Sequence, residues 1–435
     1  MNIYLLRQEQ RLSPFNERLD SLPFAETSIH QERCRIAQKR GLHLKECEPA
    51  DDITNLSFPA LLITENCFVS EKALADFLRV CAEQDTICQL ALAHTPSTEY
   101  TRPIASVTID ELENSGAGAV SPKAKGSEAQ ATQRVRYNCF YLPQKPPAVT
   151  FNEVFDICVK ESQAIIVPKR EIIIPLRLPL LGTKEENTLA YPITSTVACH
   201  IDHWVHLLWL NQLAFAIRWN EIVRAHPFWT VSKIIRTCSV KPEKLLPKMN
   251  RIGTNCNIHP TAYLEGCIIG NNVTIGARST VRNCVLGDDV VIDDHANVLS
   301  SVLAKRVYVS PKTYVVWSLA DEAAVISNYK LQVSVLGKKA STSTWAGLVD
   351  AKLKGFVDVM YQGKKHSTER RFLGSCMGHN AYIGAKVLIL PGREIPNDAF
   401  IAMRPDELIQ EVPEKLEPGV PYMRDGGTLV PAISK

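Results

Sequence analysis

The sequence predicts an α/β domain built on a parallel, doubly wound sheet, followed by a left-handed parallel β-helix. Two observations carry this. From Ile252 to Leu319 the chain repeats every seventeen residues, with aliphatic side chains at intervals of six, six and five: Ile252, Ile258, Leu264; Ile269, Ile275, Val281; Leu286, Ile292, Val298; Leu303, Val309, Val315. Such a ladder predicts coils with three short flat faces, which must stack because no single coil can bury its own inward residues. Neither the 3.6-residue period of a helix nor the strict alternation of a hairpin sheet fits it. Upstream, short apolar runs alternate with helical patterns, as in parallel α/β sheets.

In chain order, residues 1–225 form the α/β domain. Its elements are IYLL, a helix over 26–40, PALLIT at 59–64, a helix over 71–84 and ICQLALA at 87–93. Residues 113–133 are small and polar and predict a flexible insertion, because strand-like text, RVRYNCFYLP, resumes after them. The proline-broken aliphatic stretch 165–181 suits edge strands. Residues 200–219 predict a buried helix, since His203, His206, Asn211, Gln212 and Arg218 interrupt what would otherwise be long enough for a membrane span. A basic connector with Pro227, Pro242 and Pro247 fills 226–251. Coils then occupy 252–319, an interruption 320–376, and further coils 377–410, where Met377, Ile383, Ile389, Ile395 and Ile401 restore the six-residue interval. Residues 411–435 form a tail.

Composition narrows the function little. The chain has 435 residues, 45% hydrophobic and 22% charged, with a net charge of +3, and its pI is about 8.2. That balance gives no reason to expect nucleic acid as a partner. The opening MNIYLLRQEQ lacks an apolar core and a small-residue cleavage site, which predicts a cytoplasmic protein. Thirteen cysteines, an odd number without a C-x-x-C pair, predict reduced thiols. Cys267 and Cys284, one repeat apart, should stack in adjacent coils.

Several segments resemble the sugar-1-phosphate nucleotidylyltransferases that carry a C-terminal β-helix. IYLLRQEQRLSPF stands where those enzymes place a strand, a glycine-rich loop and an Arg-x-x-Pro turn, with Arg11 and Pro14 matching. ALLITENCFVSEKALADFLR resembles their strand ending in an acidic metal ligand, and HIDHWVHLLWLN their closing Asp and Trp-containing helix. VMYQGKKHSTERRFLGSCMGHNAYIGAKVLILPG resembles the loop and coils of members that join uridylyl and acetyl transfer, and of archaeal thymidylyltransferases. The resemblance implies a nucleotidyltransferase-type sheet, nucleotide or sugar phosphate as ligand, Mg²⁺ between Glu65 and Asp202, and a homo-oligomer, specifically a trimer about the solenoid axis.

Departures from the family qualify the chemistry. Arg7, Gln8, Glu9, Gln10 and Arg11 replace the Gly-x-Gly-Thr-Arg loop whose backbone approaches phosphate. No lysine follows near SLPFAE. Phosphoryl chemistry depends on positioning and charge stabilisation, so pyrophosphorylase activity should be weak or lost. The run Lys364–Arg371 is a candidate anion contact for phosphate or coenzyme A, with Arg370 and Arg371 capable of bidentate binding and Lys364 and Lys365 adding charge; Arg11 could contribute at the sheet. His379 and His295 are candidate general bases if the β-helix transfers an acyl group. Met360 and Gln362 depart from the Asn-Tyr-Asp-Gly run of the bifunctional enzymes. The readings are thus a nucleotidyltransferase-like protein with weakened chemistry, an acyltransferase, or a non-catalytic binding or regulatory subunit.

Overall fold

A computed structural model describes residues 1–8, 10–54, 56–111, 133–178, 187–237, 245–327, 330–407, 409, 412, 413 and 415–432. Most of the stretch expected to be a flexible insertion, and Glu9, lie outside the described residues.

The N-terminal domain is a mixed sheet. Its strand order is Gln163–Ile166, Cys88–Ala93, Gln133–Leu142, Ala60–Thr64, Asn2–Leu6, His43–Cys47, with Thr108–Glu111 paired to the edge of Gln133–Leu142. Asn2–Leu6 runs parallel to both neighbours, but Gln133–Leu142 is antiparallel to both of its own. The expectation of a wholly parallel sheet is corrected there. Helices cover both faces. Ile29–Lys39 and Glu71–Cys81 bring Ile36, Leu74 and Phe77 against Ile3, Leu61 and Leu90, while Phe151–Glu161 packs Phe151, Val154 and Cys158 against Tyr4, Leu62 and Phe140. Ile29–Lys39 starts where Ser28 and Gln31 form a reciprocal capping box, which satisfies two otherwise orphaned N–H groups.

Three stacks of parallel strands make the left-handed β-helix. The inward row on one face runs Ile252, Ile269, Leu286, Leu303, Ala320, Leu336, Met377, Ile395, and from Ile269 onward it is buried. The coils do not stop at 319. Strands Leu319–Ala320, Val325–Ile326, Lys330–Gln332, Val335–Leu336, Ser341–Thr342 and Gly347–Leu348 continue the stack, so the interruption narrows to 349–375. The pattern faded there for physical reasons. Ala320 and Thr342 are poor ladder residues, and Val315 pairs with Leu331, a coil one residue short of seventeen. Close stacking also explains the glycine after a ladder residue: a Cβ on Gly270 would lie 2.7 Å from the Gly287 carbonyl carbon of the next coil.

The inserted segment carries a hairpin, Asp358–Tyr361 with Lys364–Ser367. Its two-residue tip, Gln362 and Gly363, has φ of 48° and 75°, the left-handed geometry that matches hairpin twist. The helix Trp204–Ala225 joins the two domains: Trp204, Val205 and Leu208 share a core with Val285, Val302, Leu319 and Val335 of the outer solenoid surface. Among the described residues no helix is long and apolar enough to cross a membrane. The described cysteines are free, and Cys267 and Cys284 are fully buried.

Candidate functional site

A cleft of about 930 Å³ opens at the carboxyl end of the strands Asn2–Leu6 and Ala60–Thr64. The chain leaves Asn2–Leu6 for His43–Cys47 on one side and returns to Ala60–Thr64 on the other, and such a switch of direction leaves a crevice where ligands of open α/β sheets bind. Leu6, Arg7, Gln8, Gln10, Asn66 and Asp202 lie on the sheet side. The opposite wall comes from the β-helix: Met360 to Gly363 at the hairpin tip, and Glu394 of a late coil.

Arg7 organises the floor. Its guanidinium lies 2.5 Å from Asp20, 2.5 Å from Glu46 and 3.2 Å from Glu65, and Arg33 adds a second cation on Asp20. Burial works against the Arg7 charge, but Glu46 and Asp20 outweigh it and raise the pKa. The Gln8 N–H donates to the other Glu65 oxygen at 2.8 Å. Deeper in, Asp202 accepts from the Asn66 amide at 2.8 Å and from the Ser106 N–H and hydroxyl at 2.7 and 2.8 Å. Burial pushes that carboxyl up, yet these donors, Ser106 first, hold it below its ordinary value.

The two carboxylates expected to share Mg²⁺ are thus already committed, Glu65 to a cation and an amide and Asp202 to neutral donors. Mg²⁺ takes oxygen ligands in near-ideal octahedral geometry, and a guanidinium beside Glu65 competes for the same charge. The residues present do not fit that ion. Among the described residues, one cluster has the geometry for a metal, Asp20, His30 and Glu46, and Arg7 pairs with both of its carboxylates.

The structure divides the other sequence candidates. Arg11 lines the cleft and donates to the Asn16 carbonyl at 3.1 Å. Lys364 and Lys365 are exposed on the returning hairpin strand. Arg370 is turned away from solvent, its guanidinium 3.9 Å above the Tyr100 ring of the N-terminal domain. The basic run therefore serves in part as a domain contact, with Arg102 and Glu369 pairing beside it. His379 is buried at the coil corner, where Nδ1 accepts the Lys338 N–H at 2.9 Å and Nε2 faces Glu17 at 3.3 Å. Burial lowers its pKa and Glu17 opposes the shift. His295 is exposed in a left-handed corner, φ 61°. Neither His lines the cleft.

His203, noted in the sequence as a polar interruption of the apolar helix, completes the site together with Glu394, Ser13 and Ser106, which sequence reasoning did not single out. His203 accepts the Val205 N–H at Nδ1, and its Nε2–H donates to the Met360 carbonyl at 3.2 Å; one Glu394 oxygen lies 2.9 Å from that nitrogen without a hydrogen bond. The second Glu394 oxygen accepts from the Ser13 hydroxyl. Nothing in the local text around Glu394 or Ser106 marks them.

The chain thus joins a mixed α/β domain, with a crevice at its switch point, to a left-handed β-helix. Residues 231–341 match the GMPPB C-terminal domain family, a β-helix of the sugar-nucleotidyltransferase type. Among solved structures, one match is to a Bacillus cereus protein described as a candidate acetyltransferase, at 15% identity over 33% of this chain and 80% of that one, with a TM-score of 0.17. No curated protein matches.

Proposed function

We propose that this chain is a sugar-nucleotidyltransferase-like protein of nucleotide-sugar or cell-envelope metabolism whose cleft binds its ligand with weakened or absent pyrophosphorylase chemistry. One observation carries the reading: the Arg7 guanidinium sits among Asp20, Glu46 and Glu65 at the end of the first strand. A phosphate cradle needs free N–H groups and uncommitted positive charge aimed at the nucleotide. Here the side chain that follows the strand spends its charge within the protein. The β-helix match supports the family setting and leaves the chemistry to experiment. Acyl transfer gains nothing from His379, which is packed under Phe15 and Glu17.

The test is pyrophosphate release from UTP or GTP with a panel of sugar 1-phosphates and Mg²⁺. Release at least roughly a hundredfold slower than that of a glycine-loop enzyme assayed alongside is expected, the loss typical of removing one stabilising donor. Turnover at the reference rate, abolished by Asp202→Asn, would overturn it.

A further inference from the structure

We propose that the hairpin inserted in the β-helix, through Tyr361 and Gln362, is the selecting wall of the cleft, and that the ligand it selects is an uncharged, polyhydroxylated sugar rather than a polyphosphate. The inference rests on the reading of the cleft as a ligand site and names what it takes.

Charge decides the class. Of the lining groups, Arg7 is matched by three carboxylates, Asp202 by Asn66 and Ser106, and Glu394 by Ser13 at one oxygen, its other oxygen having no hydrogen bond and adding negative character to the cleft. Among the described lining residues Arg11 alone is a cation with no carboxylate partner. A nucleoside triphosphate brings several negative charges, and one exposed guanidinium would leave most of them unpaired in a partly desolvated site. The remaining polar side chains include the carboxamides of Gln8, Gln10, Asn152 and Gln362. Each carboxamide offers both donors and acceptors, which is what neighbouring sugar hydroxyls require. Leu6, Phe155, Met360 and Tyr361 supply apolar and aromatic surface for the C–H faces of a ring. The volume falls within the usual range for small-molecule sites, about 300–1,000 Å³.

Position decides the selecting element. The hairpin is held as a wall, because His203 reaches the Met360 carbonyl and the Tyr361 ring stands edge-on to His203 and to His366, each at 5.9 Å. Burial and then the nearby Asp202 carboxylate raise the Tyr361 phenol's pKa. A ligand in the cleft would therefore touch both domains, and its fit would be set by a segment that the sheet alone does not possess.

The experiment is saturation-transfer NMR with isothermal titration on the full chain, using N-acetylglucosamine, glucose, mannose and galactose as probes, with UTP and GTP with Mg²⁺ as the charged comparison. At least one sugar should bind more tightly than either nucleotide. Tyr361→Ala and Gln362→Ala should each weaken that binding by more than tenfold, Tyr361→Phe should retain most of it, and Lys354→Ala, elsewhere in the insertion, should change nothing. Unchanged melting temperatures of Gln362→Ala and Tyr361→Phe guard against hairpin unfolding. Tighter binding of nucleotides, no binding of any sugar, or sugar binding indifferent to both hairpin variants would overturn the proposal. Rapid pyrophosphate release would overturn the proposed function and, with it, the exclusion of a polyphosphate; slow release with no hairpin-dependent sugar binding would overturn this inference alone.

Discussion

Two buried titratable residues set opposite pH dependences. Asp321, in a coil turn, has its pKa pushed up to about 6, chiefly by burial and with the Glu322 N–H opposing. Its folded-state pKa lies above the unfolded value near 3.9, so between about pH 4 and 6 the folded state holds the extra proton and stability falls as pH rises. His206 is the mirror case. Full burial lowers it to about 4, against the Pro103 carbonyl hydrogen bond, so the unfolded chain binds more protons and stability falls as pH drops from about 6.5 toward 4. The two slopes partly cancel in the natural protein. Asp321→Asn should raise stability at pH 7.5 by up to about 2–3 kcal/mol, since a shift of one unit corresponds to about 1.4 kcal/mol, and should give no gain at pH 4. Denaturant midpoints across that range test it; a gain equal at both pH values would refute the assignment.

At the scale of elements, the coil is the unit whose failure is easiest to read. Ile275 is 1% exposed and paired with Ile258 and Ile292 above and below. Ile275→Asp would place a carboxylate in that apolar column with no partner, which costs several kcal/mol and shifts the group toward its neutral form. A fall of that size in unfolding free energy, with loss of cooperativity in the first coils by hydrogen exchange, is the expected outcome; unchanged protection at Ile269 and Ile292 would contradict the inward ladder. The loop after the first strand behaves as an element too. It is fastened to the coils through Ser13 to Glu394, the Phe15 carbonyl to the Asn397 amide at 2.7 Å, and Glu17 to Lys338 at 2.8 Å. A loop so tied is a poor candidate for closing over a nucleotide, in keeping with the missing glycines.

For the whole molecule, the β-helix is incomplete without the domain before it. Val285, Val302, Leu319 and Val335 point outward from one solenoid face, yet each is at most 2% exposed because the helix Trp204–Ala225 and its neighbours cover them. A fragment spanning 245–432 would uncover an apolar row along successive coils, a contiguous patch of the kind soluble monomers avoid. It should bind a hydrophobic dye and aggregate, and lysine at 302 and 319 in the same fragment should relieve both. A soluble, dye-negative fragment would show that the interface is dispensable.

The sequence by itself determined the solenoid, because a period of six, six and five survives any choice of aliphatic side chain so long as each coil keeps its length. It also placed Asn2–Leu6, Ala60–Thr64, Cys88–Ala93 and the helices Ile29–Lys39 and Glu71–Cys81, whose patterns are local, though not the mostly exposed strand His43–Cys47 or the helix Phe151–Glu161. What escaped it was set by contacts distant in the chain. The antiparallel entry of Gln133–Leu142 depends on which strands become its neighbours, and a run of alternating residues reads the same in either direction. The coils of 319–348 were lost where one residue was dropped and alanine or threonine replaced a ladder side chain. Arg7 reads in the sequence only as one of the residues replacing a glycine-rich loop; the tertiary structure brings it to Asp20, Glu46 and Glu65 at once. Arg370, read as a phosphate ligand, finds Tyr100 instead. Tyr361 and Glu394 reach the cleft because two domains pack together, and the coincidence of residues hundreds of positions apart has no periodicity for a sequence to display.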